Sequence, residues 1–518
     1  MLFGALLFYL YFRGAGSHGL IDPVEGINAS IALHMSAGGS YFVPKMGEIL
    51  TAGHSLGTWW LEAIALKIFG WSEFAVRFWS VLAGLGMIAA SVLSARQNNE
   101  YDSRRKGWLA AVICASMTGA FTASQIAASS SIFACLTSFA MTGIILSQNN
   151  KNWLILSHSA ISFAFIAHGL ESIIFAWLAL ILYCVLCEDW DLLKDFFTWP
   201  PGIITGIIIS SFYLLAVIII NPNLLSFMIC QNHIYSFGGI IGSIIYIFIA
   251  FCPFHGFIIR SIIELLPSEY PVKPSSEIFM LIWAGIFFLG SILSCDIMSI
   301  SACVPALSAI LARRLDSWLY DEKLFSLREA VLINTLILVP VLYLILPFFA
   351  GFLPVISASL MSLIPWEVMT GLFLFACWYY VRTRQIKKFV RNVSAAALLC
   401  LMPLSGVFSL TSEIYSISDI GLTLRDLVKG SDKIIQYGIN YQSIYFYTFR
   451  NSELINSPLT AGVDDWQFTT NDARLNALWL RDDRVFLIMP SGSKPREPLP
   501  DTIFHIIDGQ GMTLISNK

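Results

Sequence analysis

Charge is what this chain has least of. Only 13% of its 518 residues are Asp, Glu, Lys or Arg, against 56% hydrophobic residues, and the mean hydropathy is +0.71. A soluble globular protein cannot cover its surface from that stock, so the balance points to a chain that crosses a membrane many times and carries a soluble appendage. The net charge of −3 offers no basic footprint, which excludes nucleic acid as a partner. The ten cysteines stop at Cys400, so the polar residues after 410 have no disulfide framework. Cys184 and Cys187 form a CxxC inside an apolar run, where packing is the expected role. Met1 to Phe12 is apolar without a basic start or a small-residue cleavage site, and reads as a short first span rather than a cleaved signal. Internal repeats and low-complexity segments are lacking too.

What is present is a series of apolar runs. A helix needs about 20 apolar residues to cross the hydrocarbon, which gives about thirteen candidate spans. They fall near 1–13, 78–95, 107–123, 127–147, 153–168, 170–187, 201–220, 239–258, 277–294, 297–312, 329–350, 366–381 and 392–410. Lys and Arg collect in alternate joins, among them Arg96 to Lys106, Arg260 to Lys273, Arg313 to Arg328 and Arg382 to Arg391, while the other joins after residue 79 hold none. Positive joins stay on the cytoplasmic side, so the first loop and the tail are expected outside. The reading is an all-α polytopic membrane domain over 1–410, with its first outer loop at 14–77, and a small extracytoplasmic α/β domain over 411–518. In that tail Ser443 to Tyr447 and Arg484 to Met489 read as strands, and Thr423 to Val428 and Asn471 to Leu480 as short helices.

Polar groups in such a chain gather in the first loop, which holds acids, histidines, lysines and aromatics together. Asp22-Pro23-Val24-Glu25-Gly26 leads into a helical stretch from Ile27 to Met35. Then come Gly38-Gly39, Tyr41-Phe42-Val43-Pro44-Lys45, Trp59-Trp60 and Gly70-Trp71-Ser72-Glu73-Phe74-Ala75-Val76-Arg77. This order resembles the GT-C membrane glycosyltransferases of the protein O-mannosyltransferase and lipid A aminoarabinose transferase type. In those proteins an acidic pair opens the first outer loop and a GxxEFAxR-like run enters the second span. Ala167-His168-Gly169-Leu170 sits where the family has a TKGP-like turn, and Pro305 to Ala309 resembles its PALAL run. Tyr437-Gly438 through Tyr447, and the terminal Leu514 to Lys518, look like the outer domain of the aminoarabinose-transferase branch.

The resemblance implies transfer of a sugar from a polyprenyl-phosphate donor to a glycolipid or glycan acceptor at the outer face of the membrane. The lipid-linked sugar serves as co-substrate without a further cofactor, in an inverting, metal-independent reaction. Such a donor departs as a phosphate, so an acid or base is expected near the acceptor and cations near the leaving group. Glu25 matches the second acid of the family pair; the first is Val24 here, with Asp22 as a substitute. Glu25 either orients and deprotonates the acceptor or caps the helix that follows it. Three family positions differ: Ser129-Ser130-Ser131 replaces an RxD run, His168 a lysine, and Cys295-Asp296 with Ser299 an SxxK run and its tyrosine. Lys45, His54, His168, His233 and Asp296 are the remaining candidates for substrate contact. His34 and His54 could join Asp22 or Glu25 around a metal, but the spacing is not a metal motif and no metal is expected. Glu73 and Arg77, four apart, read as a helix-surface ion pair, and Trp59, Trp60, Trp71 and Trp79 as an interfacial belt. Loss of an acid and two lysines leaves open a catalytically retired relative that binds lipid or a partner. A transporter fits the span count but not the apolar mid-span residues.

Overall fold

The computed structural model describes residues 2–46, 49–50, 56–96, 103–220, 237–267, 270–294, 296–320, 323–341, 354–457, 468–469, 472–480, 483–495, 498–499, 503–509 and 511–518. Its contacts divide the chain into two compact units. One comprises Met1–Ala15, Trp79–Ala216 and Met228–Val407; the other comprises Gly16–Phe78, Val217–Phe227 and Phe408–Lys518. The first loop therefore groups with the tail, whereas the sequence boundary at 410 had joined it to the spans.

The first unit is helical. Among the described residues seven helices are long and apolar enough to cross a membrane, or eight if one bent pair counts as a single span. The count of about thirteen read from hydropathy is not confirmed by helix length among the described residues, where several apolar runs are short or broken. Trp153–His168 has 16 residues and Glu171–Cys187 has 17, which at 1.5 Å per residue is roughly 25 Å and less than a hydrocarbon core. The run expected as one span at 239–258 is two helices, Phe237–Ala250 and His255–Leu265, since Pro253 between them has no N–H to continue a helix. Ser103–Ser116 and Thr118–Gln125 meet at a 58° bend. Asn334, fully buried on helix Leu324–Pro340, clamps the broken run from outside. Its Oδ1 accepts from Gly256 N at 2.8 Å and its Nδ2 donates to the Pro253 carbonyl at 2.9 Å. Cys184 and Cys187 are buried free thiols.

The second unit is built on a six-stranded sheet from the tail, ordered β5-β4-β3-β6-β8-β7. The strands are β3 (Lys433–Tyr437), β4 (Ser452–Ile455), β5 (Phe468–Thr469), β6 (Val485–Pro490), β7 (Phe504–Gly509) and β8 (Met512–Ser516). In the first loop β1 (Lys45–Met46) and β2 (Ile49–Leu50) form a separate antiparallel pair. In the tail β3 lies parallel to β4 and β6, while β8 is antiparallel to β6 and β7. Alternate side chains fill opposite cores, as the two-residue period of a strand requires. Ile434, Phe486, Ile488 and Leu514 pack with Ile420 and Leu424 of helix Ser418–Leu427. Ile435, Val485, Leu487 and Ile515 pack with Leu475 and Trp479 of helix Asp472–Trp479. The strand expected at Ser443 to Tyr447 is instead a helix, Ser443–Thr448. All five of those residues are buried, and a strand would have turned alternate ones to the other face.

Candidate functional site

The first-loop acids are held by two anchors, Arg77 and Ser443. Glu25 lies in the first turn of helix Val24–Ser36. Its Oε1 accepts from Arg77 Nε at 2.8 Å, and its Oε2 accepts from Arg77 Nη2 at 2.6 Å and from the Ile21 backbone N–H at 2.8 Å. Both side chains are 0% exposed. This is the two-pronged guanidinium–carboxylate pairing that favours Arg over Lys. Arg77 also donates to the carbonyls of His18 and Gly19, each at 2.8 Å. It thus ties down the turn from 18 to 25.

The surface pair expected between Glu73 and Arg77 gives way to this arrangement. Arg77 turns inward, where a carboxylate and two carbonyls need donors, and Glu73 instead accepts from the Tyr447 hydroxyl at 3.1 Å. The same hydroxyl accepts from Leu20 N at 3.0 Å.

Asp22 is 8% exposed and bound differently. It accepts from Ser443 N at 3.1 Å and from the Ser443 hydroxyl. Burial pushes its carboxyl up to about 7; the Ser443 and Gln442 contacts oppose the rise and the nearby Glu25 charge adds to it. Gly26 makes this fit possible, because a Cβ there would stand 1.9 Å from Asp22 Oδ1 and 2.8 Å from Ser443 N. Both acids thus have both oxygens engaged, but Glu25 meets a guanidinium whereas Asp22 meets only neutral donors, and burial raises the Asp22 carboxyl to about 7.

Two neighbouring groups were not singled out from the sequence. Glu62, on helix Leu56–Phe69, is 2% exposed. Burial, and then the charge of Glu25, hold its carboxyl well above the usual range, and its Oε2 has no hydrogen-bond partner among the described residues. Its signal was legible as the lone acid in Thr58-Trp59-Trp60-Leu61-Glu62-Ala63-Ile64. His18 is 6% exposed, and burial followed by the Arg77 charge lowers its pKa to about 4, so it is neutral at physiological pH. Its position carries no sequence pattern.

The other loop candidates lie elsewhere in this unit. Lys45 is half-buried at the start of β1. Its charge, after burial, lowers the pKa of His34, whose Nδ1 is 3.1 Å from the Tyr445 hydroxyl. Among the described residues no group of three His, Cys, Asp or Glu is placed to hold a metal. Trp59 and Trp60, expected in an interfacial belt, direct their N–H groups to Asn28 Oδ1 and the Tyr41 carbonyl. Arg425 stacks over the Trp71 ring at 4.5 Å. His54 and His233 lie outside the described residues.

His168 and Asp296 belong to the other unit and come together there. His168 ends helix Trp153–His168, and Gly169 follows with a φ of 101° that an L side chain would resist. His168 Nδ1 is 3.1 Å from the Ser129 hydroxyl, and its Nε2 is 3.5 Å from Asp296 Oδ2 and 3.7 Å from Glu171 Oε2. Asp296 caps the 3-10 helix Ile297–Cys303 through Met298 N and accepts from the Ser299 hydroxyl at 2.5 Å. The positions at which this chain differs from the family pattern (Ser129, His168, Asp296 and Ser299) thus form one cluster. Where the resemblance implied lysines, a histidine stands between two carboxylates.

Residues 53–215 match the family model described as dolichyl-phosphate-mannose-protein mannosyltransferase. No curated protein sequence matches the chain at a significant level. Two crystal structures of ArnT from Cupriavidus metallidurans are similar over the full length. The one bound to undecaprenyl phosphate has a TM-score of 0.77 at 16% identity, covering 100% of this chain and 97% of that one. The apo form has a TM-score of 0.77 at 17% identity with the same coverage. The chain accordingly has the fold of the ArnT structures over its full length, and residues 53–215 are similar to the mannosyltransferase family model.

Proposed function

We propose that this chain moves a sugar from a polyprenyl-phosphate donor to an envelope glycolipid or polysaccharide at the outer face of the membrane. The observation that carries this reading is the likeness, across the whole chain, to a fold solved with undecaprenyl phosphate bound. The segregation of Lys and Arg into alternate joins supports placing the first loop and the tail outside.

Asp22 is the group suited to the proton. The acceptor hydroxyl attacks the anomeric carbon from the face opposite the phosphate, its proton passes to Asp22, and the anomeric C–O bond breaks to release polyprenyl phosphate with inversion. A carboxyl whose pKa is near 7 is matched to that transfer at neutral pH. Glu25 acts through Arg77 as a positioning residue, holding the turn that carries Asp22. Lys45, at the start of β1 in the same loop, supplies positive charge for an anionic substrate group. The reaction needs no metal or further cofactor, because the phosphate is a competent leaving group.

A second reading has one specific observation behind it: His168 is flanked by carboxylates rather than accompanied by lysines. That would suit a relative that binds lipid without turning it over. Mass spectrometry of envelope glycolipids separates the two. Cells lacking the chain would be complemented with wild type or with Asp22→Asn. Loss of one sugar increment, restored by wild type and not by Asp22→Asn, supports transfer. An unchanged set of lipids, polysaccharides and glycoproteins in the deletion overturns it in favour of the retired relative.

A further inference from the structure

A cleft in the helical unit, lined by none of the candidate site residues above, combines two surfaces that one kind of ligand needs together. It has a volume of about 990 Å³ and runs between helices His255–Leu265, Leu324–Pro340 and Pro354–Thr383. Its polar rim is Arg260, Arg328 and Arg382, with Glu329 as the sole acid. Glu329 is already engaged, 2.8 Å from Arg260 Nε, and Arg260 pairs in addition with Glu264 at 3.3 Å. Arg328 and Arg382 are exposed, and neither has an ion pair or hydrogen bond among the described residues. The rim therefore presents two uncommitted guanidinium groups beside a neutralised pair.

The walls are apolar and equally uncovered. Phe325 is 71% exposed, Leu332 47% and Trp378 42%. Leaving that much apolar surface open is normal only where something apolar covers it. Arg382 lies in the last turn of an apolar span and Arg328 in the second turn of the neighbouring helix. Guanidinium groups at that depth sit at headgroup level while their stems lie along hydrocarbon.

We propose that this cleft is a binding site for an anionic diacyl phospholipid. Its phosphodiester is taken by Arg328 and Arg382, and its acyl chains lie along Phe325, Leu332 and Trp378. Arg matches a phosphate with two parallel N–H donors, and basic pockets between spans on the cytoplasmic side are where such headgroups bind. The charge pattern read from the sequence puts all three arginines in joins of that side. A scatter of inner-face arginines would satisfy the same charge rule without a cleft; here a walled volume lies between them. The inference rests on the chain spanning a membrane and not on its transferring a sugar.

The test is native mass spectrometry of the purified full-length protein, released from detergent with defined phosphatidylglycerol or phosphatidylcholine. Wild type is expected to retain phosphatidylglycerol in preference to phosphatidylcholine, and millimolar inorganic phosphate is expected not to displace it. Arg328→Gln with Arg382→Gln should weaken that retention about thirtyfold, two cations' worth of attraction to an anionic headgroup. Lys388→Gln with Arg391→Gln removes the same charge from the neighbouring helix Ile386–Leu399, outside the cleft, and should change nothing. Equal retention of the two lipids overturns the proposal, as do equal losses in the two double variants. Displacement by free phosphate would mean an ion site without lipid, and also overturns it. Because all the exchanged side chains are exposed, the variants fold or fail together with their control.

Discussion

Glu25 and Arg77 neutralise one another where neither meets water, which makes each the other's condition for staying buried. Removing one partner of such a pair strands a charge, at a cost of about 3–5 kcal/mol. Glu25→Gln is thus expected to lower the melting temperature of the purified protein sharply, and Glu25→Leu with Arg77→Met to recover much of the loss. A Glu25→Gln variant that melts like wild type would remove the pair from the account of the loop. Asp22 behaves in the opposite sense. Its carboxyl titrates at about 7 in the folded chain against an ordinary 3.8, so between those values the folded chain keeps a proton that the unfolded chain has lost. Stability from this group is full below the ordinary value and declines as the pH rises through 7. Asp22→Asn should abolish that decline and be more stable than wild type at pH 8, while slowing transfer by at least about a hundredfold. Wild-type transfer should rise with pH around a midpoint near 7; a flat profile would take the proton away from Asp22. These two acids were both visible in the sequence, three residues apart, but their division of labour was not. It depends on Ser443 and Arg77, and only the fold brings those within reach.

At the scale of elements, legibility followed the source of each element's stability. Val485–Pro490 was readable as a strand because a short run of β-branched and aromatic residues suits a strand whose two faces are both buried, as they are here. Ser443–Thr448 has equally strand-like residues and is a helix, because it is buried on every side and its first N–H is taken by Asp22. Local preference lost to packing there. The span count differs from the helices seen for a related reason: hydropathy measures apolar length, and does not register the break after Ala250 or the bend at Met117. Gly421 gives the packing of the Ser443–Thr448 helix a direct test. A Cβ at 421 would lie 2.7 Å from Tyr447 Cβ and 2.8 Å from its ring. Gly421→Ala should therefore cost about 1–3 kcal/mol by forcing the two helices apart. Gly430→Ala, with nothing within 4 Å of its Cβ, serves as the control. Comparable melting temperatures in the two variants would show that the contact has room to yield.

At the scale of the whole molecule, the first loop and the tail are some four hundred residues apart in sequence and fold as one unit. Hydropathy marks both as polar and cannot say that they need each other. The contacts say so residue by residue. Asp22 holds Ser443, the Ser30 hydroxyl donates to the Gln442 carbonyl at 2.9 Å, and the Asp22 backbone N–H reaches the Tyr415 carbonyl at 2.9 Å. Tyr447 bridges Leu20 and Glu73. Without the tail, Asp22 and Ser30 would lose those partners, and buried polar groups left unpaired cost more than the bonds contributed. A chain ending at residue 407 should still insert, since its apolar spans are intact, but its loop should open. Limited proteolysis reads this directly: cleavage between residues 16 and 78 is expected to be at least about tenfold faster in the shortened chain than in the full one. Equal rates would mean that the loop carries its own stability, and that the tail is an independent domain resting on a preformed site. Faster cleavage would make the tail a part of the site's architecture, and substitutions at Ser443 would then be expected to impair transfer as severely as those at Asp22.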